Sequence, residues 1–462
     1  MEIKYHAIDY DSFTPERARF VKKWTPRLVA FGELIDGYDL LVIGVGILFL
    51  EPYFGLTSLQ KGLLSASAFL GAAVGLLVFG RIADKFGRLP IFKINLLFFI
   101  VASIIAAFSF DIYTLFITRF ILGVAVGMDI PVSQAFLAEI SPNEKRGRLA
   151  GSLPNIMWLA GAIASVVLAL IIQPFADMET WRWLFGIAAL PAAFVYVMRR
   201  FLPESPRWLL EHGHEEDAMK VFKVLELDPA PALRAIEEKK KKQAEGPVKI
   251  SGRIKQRLIA VTAFFALQAF AGAVATVSGP QFLKSVFTPV VTSSNATDQV
   301  LQLEQAVQLT AMTQMFGFIF GVLAVVIGAV IIDRVDRRIF GMVICGLLFV
   351  FGMLMGLFAN IPVAFGIVYV LFSFSTWFGP GVLAWIWSAE AVPTEVRGLG
   401  TGIAQTGARL MIALNTFIAP FLNENLGGWS VPVYSVVYLI IVVILWRNHW
   451  LSSTGKDLNE SM

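Results

Sequence analysis

Residues 91–137, IFKINLLFFIVASIIAAFSFDIYTLFITRFILGVAVGMDIPVSQAFL, contain two long apolar segments separated by a short polar turn. A helix needs about 20 mostly apolar residues to cross a ~30 Å hydrocarbon core, and each segment is long enough to do so. Similar segments recur on both sides of this stretch. We therefore interpret the stretch as two consecutive membrane-spanning helices in a protein that has many of them.

The composition of the chain excludes a soluble protein. Of its 462 residues, 56% are hydrophobic and 16% are charged, whereas about a quarter of the residues in a soluble domain are charged. The 39 Phe and 11 Trp exclude a disordered chain, and a net charge of +4 gives no reason to expect a nucleic-acid partner. The single Cys345 and four His outside the apolar segments provide no metal-ligand set. We expect a polytopic all-α membrane protein without metal or cofactor.

A scan for apolar segments predicts six spans before a long polar insert and six after it. The first six cover about residues 24–48, 62–82, 91–109, 112–137, 149–173 and 182–200. The second six cover about residues 257–285, 307–333, 339–359, 362–389, 399–424 and 429–447. The predicted divisions are an N-terminal tail (1–23), an N-terminal bundle (24–200), a linker (201–256), a C-terminal bundle (257–447) and a C-terminal tail (448–462).

The positions of Lys and Arg predict how the chain is oriented. All but five of the 38 Lys and Arg fall in the tails or in the loops after spans two, four, six, eight and ten; the exceptions are Lys61, Arg182, Lys284, Arg119 and Arg409. Positive charge is retained on the cytoplasmic side. We therefore expect a multi-pass protein of the cell membrane with both termini in the cytoplasm. The run EEKKKKQAE (237–245) is best explained as a solvated helix face near the inner leaflet.

The two halves repeat each other. GRIADKFGR (80–88) corresponds to AVIIDRVDR (329–337), and EISPNEKRG (139–147) corresponds to EAVPTEVRG (390–398), with nearly the same spacing between the members of each pair. Duplicated bundles with a site between them near the midplane are typical of rocker-type secondary transporters. The repeat predicts two six-helix bundles related by pseudo-two-fold symmetry.

These loops resemble signatures of the major facilitator superfamily. GRIADKFGRLP (80–90), the fourth-span run (119–147), PESPRWLLEHG (203–213) and FGPGVLAWIWSAEAVPTEVRG (378–398) look like those of sugar porters and related proton symporters. Sugar porters usually have two adjacent Gln in span seven, where this chain has Gln268 and Ala269, and Asp336 stands where the loop signature favours Gly. IDGYDL (35–40) and the run that ends at Arg409 look more like aromatic-acid and organic-anion members. The resemblance implies a twelve-helix transporter.

Charged residues inside spans mark candidate functional positions. With a rise of 1.5 Å per residue, Asp39 lies ~12 Å below the outer end of span one and Arg119 ~10 Å below that of span four, so the two can pair. Arginine keeps a facing carboxylate ionised, and a carboxylate that loses its arginine takes up a proton. We predict a proton switch, with an inert structural pair as the alternative. In sugar porters the matching Asp and Arg form the proton switch, which supports the same role here.

Three more carboxylates lie in the inner halves of the same spans. Glu33 and Asp129 lie ~14 and ~12 Å from the inner ends, and Asp36 shares nearly the same helix face as Asp39. They are candidates for proton coupling, either as further proton acceptors or ligand contacts, or as water-exposed carboxylates of the inner vestibule. Both fates are common for membrane carboxylates.

Among the candidate residues, Arg409 gives the most information about the chemical class of the substrate. It lies ~15 Å from the inner end of span eleven, near the midplane. A guanidinium there suits a carboxylate or phosphate, which it can hold with two hydrogen bonds, although an internal partner is an equal alternative. At similar depth lie the other candidate substrate contacts, namely Asn155, Trp158, Gln268, Gln314, Trp377 and Trp385. Aromatic walls with a few amides suit a flat acid or a sugar ring equally well.

The loop signatures are predicted to form a cytoplasmic gate. Their charged residues can tie helix ends together when the inner side is closed. These residues are Asp84, Arg88, Glu139, Arg146, Asp333, Arg337, Glu390 and Arg397. Gly123 and Gly127, four residues apart, are predicted to let span four approach a neighbour closely and not to form a phosphate loop.

The function predicted from these features is proton-coupled symport of a small organic solute by a monomer. We expect an organic acid anion, with a neutral sugar as the alternative. A non-transporting sensor that signals through residues 201–256 is a second class, but a sensor does not need Asp39 and Arg119. The spans contain no His and no G-x-S-x-G motif, so we do not expect an enzyme.

Overall fold

Helices account for all the regular structure in the described part of the chain. The computed structural model describes residues 14–140, 153–244, 252–288, 296–332, 334–390 and 397–452. The first half contains α1 (Pro15–Phe54), α2 (Ser58–Phe86), α3 (Arg88–Ala107), α4 (Ile112–Ile140), α5 (Leu153–Ala176), α6 (Thr180–Ile187) and α7 (Ala189–Met198). The linker contains α8 (Pro206–Glu211), α9 (Glu215–Leu225) and α10 (Ala230–Ala244). The second half contains α11 (Gly252–Gly272), α12 (Gly279–Phe287), α13 (Ala296–Ile331), α14 (Arg337–Leu357), α15 (Pro362–Thr376), α16 (Val382–Glu390), α17 (Arg397–Leu426) and α18 (Ser430–Arg447).

The lengths of these helices agree with the predicted membrane fold. Nine helical stretches in the described ranges are long and apolar enough to cross a bilayer. Two of them, Leu153–Phe201 and Gly400–Arg447, have 49 and 48 residues and are therefore long enough for two crossings each. Together with α1, which lies largely buried, they account for the twelve predicted spans. The all-α, twelve-helix fold is confirmed.

Helix α1 begins well before the predicted start of span one. The Thr14 side chain caps the helix by accepting a hydrogen bond from the backbone N–H of Arg17 at 3.2 Å, and Pro15 occupies the first helical position. At the other end, Gly55 adopts a left-handed conformation with φ of 61°, which suits a residue without a Cβ. The helix is 40 residues long, so at 1.5 Å per residue its first turns project beyond the bilayer.

Three predicted spans are interrupted. Span six divides at Ala188 into α6 and α7, and span seven divides at a 3₁₀ turn, Ala273–Ala275, into α11 and α12. Span ten contains a π-helical turn, Trp377–Gly381, that includes Pro380. Proline removes a backbone donor and favours such a break. The apolar pattern of the sequence does not reveal these breaks, and the last two face the space between the bundles.

The glycines of α4 mediate close helix packing, as predicted. A Cβ on Gly123 would lie 1.9 Å from the carbonyl oxygen of Ala68, and one on Gly127 would lie 2.3 Å from that of Ala72. Both carbonyl groups belong to α2. Only glycine allows the two backbones to come this close, so these residues set the α2–α4 contact.

One apolar cluster fills the first half of the chain and extends into α13 and α17, a second fills the rest of the second half, and the halves meet along two helix pairs. Helix α2 packs along α17, and α5 packs along α13. A third apolar cluster joins the ends of α1, α3 and α4 to the linker through Trp208, Leu209, Val221 and Phe222. We call the membrane side on which this cluster lies the linker side.

Candidate functional site

A cavity of about 430 Å³ lies between the two bundles. This volume is within the usual range for small-molecule sites. Its wall includes residues near the linker-side ends of four helices: Ala138 in α4, Asn155 in α5, Ser388 in α16 and Thr401 in α17. The cavity therefore extends from the middle of the bundles toward the linker side.

Aromatic side chains and amides form much of the cavity wall. The aromatic residues are Trp158, Phe265, Trp377 and Trp385, and the amides are Gln134, Asn155, Gln268 and Gln405. The rings of Trp158 and Trp377 lie 5.6 Å apart and meet across the bundle boundary. On the same boundary, Gln405 Nε2 donates to Gln134 Oε1 at 3.3 Å. Sequence analysis missed Gln134 and Gln405, because no motif distinguishes one amide in a span from another.

The wall has one acid and one base among its described residues, Glu33 and Arg409. They come from opposite bundles. Arg409 lies within Coulomb range of both Glu33 and Asp36. The predicted arginine therefore lies in the cavity wall, with two carboxyl groups near enough to interact with its charge.

Five other predicted substrate contacts line the cavity, but Gln314 does not. Gln314 is fully buried in α13, where its Nε2 donates to the carbonyl oxygens of Ala275 and Thr276 at 3.3 and 3.2 Å. Its Oε1 accepts a hydrogen bond from the Tyr369 hydroxyl at 2.5 Å. The prediction of substrate contact is corrected for this residue: Gln314 satisfies the backbone where span seven is broken. The other five are Asn155, Trp158, Gln268, Trp377 and Trp385.

Asp39 and Arg119 form a buried ion pair. Arg119 Nη1 lies 2.7 Å from Asp39 Oδ1, and Nη2 donates to the Asp39 carbonyl oxygen at 2.7 Å. Both side chains are at most 1% exposed. The depths estimated from the sequence thus correctly predicted that these residues meet. The guanidinium also lies 5.3 Å from the ring centre of Phe185, which helps to keep water away.

Asp129 belongs to a second buried ion pair. Its Oδ1 accepts hydrogen bonds from Arg199 at 2.9 Å and Asn95 at 2.6 Å, and its Oδ2 accepts one from Ser133 at 2.8 Å. Arg199 lies at the inner end of span six but is fully buried, because its side chain points back into the bundle. Three donors already occupy Asp129, so it is not a vestibule carboxylate.

Glu33 and Asp36 differ in their access to the cavity. Both are 4% exposed, but of the two only Glu33 is part of the wall. Glu33 Oε1 and Asp36 Oδ2 are buried and have no hydrogen-bond partner among the described residues. Glu33 thus lines the cavity and Asp36 lies behind its wall, and the role of both carboxylates in proton coupling stays a prediction.

The charged loop on the linker side is organised by Glu204. Arg88 pairs with Asp84 at 3.0 Å and with Glu139 at 3.3 Å, as the gate prediction requires. Glu204 accepts hydrogen bonds from the backbone N–H groups of Arg88 and Leu89 at 2.9 and 3.1 Å, and so caps α3. Burial raises the pKa of the Glu204 carboxyl, although these N–H groups act against it. Glu204 was quoted within a signature but was not predicted as a gate residue.

The remaining gate predictions are tested less completely. Arg337 begins α14. Arg146 and Asp333, and the side chains of Glu390 and Arg397, lie outside the described residues. The gate assignment therefore stays a prediction for both repeats.

On the side opposite the linker, Glu51 joins the two bundles. Its carboxylate lies 2.6 Å from Lys61 Nζ of α2 and 3.1 Å from Lys284 Nζ of α12. Burial opposes ionisation of Glu51, but Lys284 and Lys61 outweigh it and hold the pKa of this carboxyl below its usual value. The Ser58 hydroxyl donates to Glu424 across the same boundary. We call Glu51, Lys61, Lys284, Ser58 and Glu424 the outer latch.

Comparison with known proteins agrees with this architecture. Residues 27–449 match the family described as Sugar (and other) transporter. The glucose transporter GlcP of Staphylococcus epidermidis is 30% identical, with 94% of this chain and 95% of that protein covered. The D-xylose transporter of Levilactobacillus brevis is 31% identical, with 81% and 80% covered. The solved structure of the proton:xylose symporter XylE has a TM-score of 0.73 at 20% identity, over 93% of this chain and 96% of that one.

The fold and the cavity between its bundles define a membrane transporter and not an enzyme. The chain belongs to the Sugar (and other) transporter family, whose model matches almost its whole length.

Proposed function

We propose that this protein is a proton-coupled symporter of a neutral sugar. The composition of the cavity wall carries the proposal, because Arg409 shares the wall with the carboxyl group of Glu33 and interacts with it. The rest of the wall offers amides that can hydrogen-bond to sugar hydroxyls, and Trp rings against which a sugar ring can lie. The names of the glucose and D-xylose transporters among its relatives support the same substrate class.

This proposal replaces the organic acid anion that we favoured from the sequence. That expectation rested on an uncompensated Arg409 near the midplane. A bound anion would have to compete with Glu33 and Asp36 for the guanidinium, and would itself lie close to the Glu33 carboxylate. Like charges at short range are costly in a site of low dielectric constant. A neutral solute avoids that cost.

The Asp39–Arg119 pair supports the proton coupling. While the pair is intact, Arg119 keeps Asp39 ionised. When α1 and α4 shift during the rocking of the bundles, a carboxylate that loses this partner takes up a proton. Solute movement and proton uptake are thereby linked through helix packing. Since most Lys and Arg lie in the tails and linker-side loops, we infer that the linker side is the cytoplasm of a cell-membrane protein.

Uptake into proteoliposomes tests the proposal. The solutes are a panel of hexoses, pentoses and small carboxylates, each with and without an inward proton gradient. At one proton per solute, a gradient of one pH unit supports about ten-fold accumulation of a sugar. Asp39→Asn should lose accumulation and keep exchange of labelled for unlabelled sugar, whereas Asp39→Glu should retain part of both.

Three outcomes would contradict the proposal in different ways. Accumulation of carboxylates without sugars would restore the acid-anion substrate. Full accumulation by Asp39→Asn would remove the coupling role of Asp39. No flux of any solute would favour a sensor.

A further inference from the structure

Three carboxylates form a row along one side of α1. Glu33, Asp36 and Asp39 are each three residues apart, so consecutive members have Cβ atoms about 5–6 Å apart. The row runs from the cavity wall into the N-terminal bundle. Glu33 lines the cavity, whereas Asp36 and Asp39 are not among the described lining residues. A proton on Asp39 therefore needs a path to reach the cavity.

Each member of the row has a buried oxygen atom without a partner. These atoms are Glu33 Oε1, Asp36 Oδ2 and Asp39 Oδ2, none of which has a hydrogen-bond partner among the described residues. The three side chains are at most 4% exposed. A buried bare carboxylate oxygen is unfavourable, but a neighbouring protonated carboxyl can donate to it. The row is therefore suited to sharing and passing a proton.

The surrounding charges divide the acids into two kinds. Asp39 has Arg119 of α4 as its partner, and Asp129 of α4 has Arg199. Glu33 and Asp36 have no ion-pair partner among the described residues, although Asp129 and Arg199 lie within Coulomb range of both.

Arg409 supplies positive charge to Glu33 and Asp36 from the opposite bundle. It lies on α17, within Coulomb range of both carboxylates. Since α17 belongs to the other bundle, rocking changes the distance between this guanidinium and the row. The electrostatic balance at Glu33 and Asp36 thus depends on the conformation of the whole transporter.

We propose that Asp36 and Glu33 relay the proton from Asp39 to the cavity, and that Arg409 is the positioning residue that promotes its release. This inference rests on the proposed proton-coupled transport. In the relay, the Asp39 O–H bond breaks as its ion pair with Arg119 re-forms. The proton binds Asp36, then Glu33, and then leaves for water in the cavity. At each step one O–H bond breaks and one forms, the last of them on a water molecule of the cavity, so all three carboxylates end ionised.

Transport by purified variants in proteoliposomes tests the relay. Two measurements are made on each variant: accumulation of sugar under an inward gradient of one pH unit, and exchange of labelled for unlabelled sugar at equal pH. Asp36→Asn keeps the shape of the side chain but removes its titratable group. We expect its accumulation to fall from about ten-fold to about one-fold, while exchange persists. The matched control, Asp36→Glu, restores a titratable group and should recover accumulation.

Arg409→Gln and Glu33→Gln extend the test to the ends of the relay. Both should impair accumulation more than exchange, and the double variant should be no worse than the more impaired single variant, because the two residues act on one step. If accumulation by the double variant falls by the product of the two single losses, the two residues act independently, and Arg409 is not part of the relay.

The results distinguish failure of the relay from failure of the proposed function. Wild-type-like accumulation by Asp36→Asn, beside loss by Asp39→Asn, overturns the relay and leaves proton-coupled transport intact. Loss of exchange as well as accumulation in Asp36→Asn, with a normal melting temperature, assigns Asp36 to substrate movement and also overturns the relay. Failure of the unmodified protein to accumulate any sugar overturns the proposed function itself.

Discussion

Arg199 and Arg200 are neighbours in sequence with opposite environments. Arg199 is fully buried, pairs with Asp129 at 2.9 Å and lies 4.3 Å from the ring centre of Phe92. Arg200 is exposed, with its guanidinium 5.2 Å from the ring centre of Tyr196. A buried charge without its partner is strongly destabilising, whereas exposed contacts contribute little. The energetic importance of each arginine follows from its side-chain direction.

We therefore expect Arg199→Gln to destabilise the protein and Arg200→Gln, the matched control, to have little effect. Loss of Arg199 leaves Asp129 with two neutral donors and no counter-charge, which costs about 3 kcal/mol by comparison with other broken buried pairs. An exposed substitution changes stability by about 0.5 kcal/mol or less. Thermal unfolding in detergent measures both. Equal melting temperatures for the two variants would show that Asp129 does not need Arg199.

The break between α11 and α12 places non-helical backbone at membrane depth. Such backbone persists in a bilayer only where the protein satisfies its polar groups. Gln314 provides two hydrogen bonds to carbonyl groups of the break, and the Tyr369 hydroxyl, which donates to Gln314, lies 3.2 Å from the Val274 carbonyl oxygen. The break brings Thr276 to the cavity wall, next to the residues that we propose contact the solute. Gln314 therefore helps to shape the site although it does not line the cavity.

Gln314 and Gln268 should consequently respond differently to replacement by Leu. Gln314→Leu leaves two carbonyl groups of the break without partners, at about 1–3 kcal/mol each, and should lower the melting temperature. Gln268→Leu, at a cavity-lining position, should mainly raise the KM for sugar uptake. Thermal unfolding and uptake kinetics of both variants check this. If Gln314→Leu raises the KM without lowering the melting temperature, Gln314 contacts the substrate and is not a structural residue.

The cavity and the outer latch lie at opposite ends of the boundary between the bundles. The cavity extends toward the linker side, while Glu51 and Lys284 hold the bundles together on the other side. These features define a conformation that faces the linker side. Because the latch must break when the bundles rock, its strength contributes to the equilibrium between the two orientations of the transporter.

Glu51→Gln should shift that equilibrium toward the state open on the side opposite the linker. Glu51 is about one-third exposed, so loss of its pairs is worth only about 0.2–1 kcal/mol, or roughly a 1.4- to five-fold shift. Labelling of a cysteine introduced at Asn423, which lines a separate pocket beside the outer latch, reports the shift. Native Cys345 is fully buried and adds little background. Glu179→Gln breaks only a pair within one bundle and is the control; equal labelling of both variants would rule out the latch.

Much of this architecture could be predicted from the sequence, because the length of an apolar run and the placement of charges are properties of the chain alone. They established the class of protein, the number of spans and the depths of Asp39 and Arg119. Depth follows from the rise per residue of a helix. The direction of a side chain around the helix axis depends instead on packing with other helices. Only the folded structure could therefore separate Gln268 from Gln314, turn Arg199 inward, and bring Arg409 opposite the carboxylates of α1.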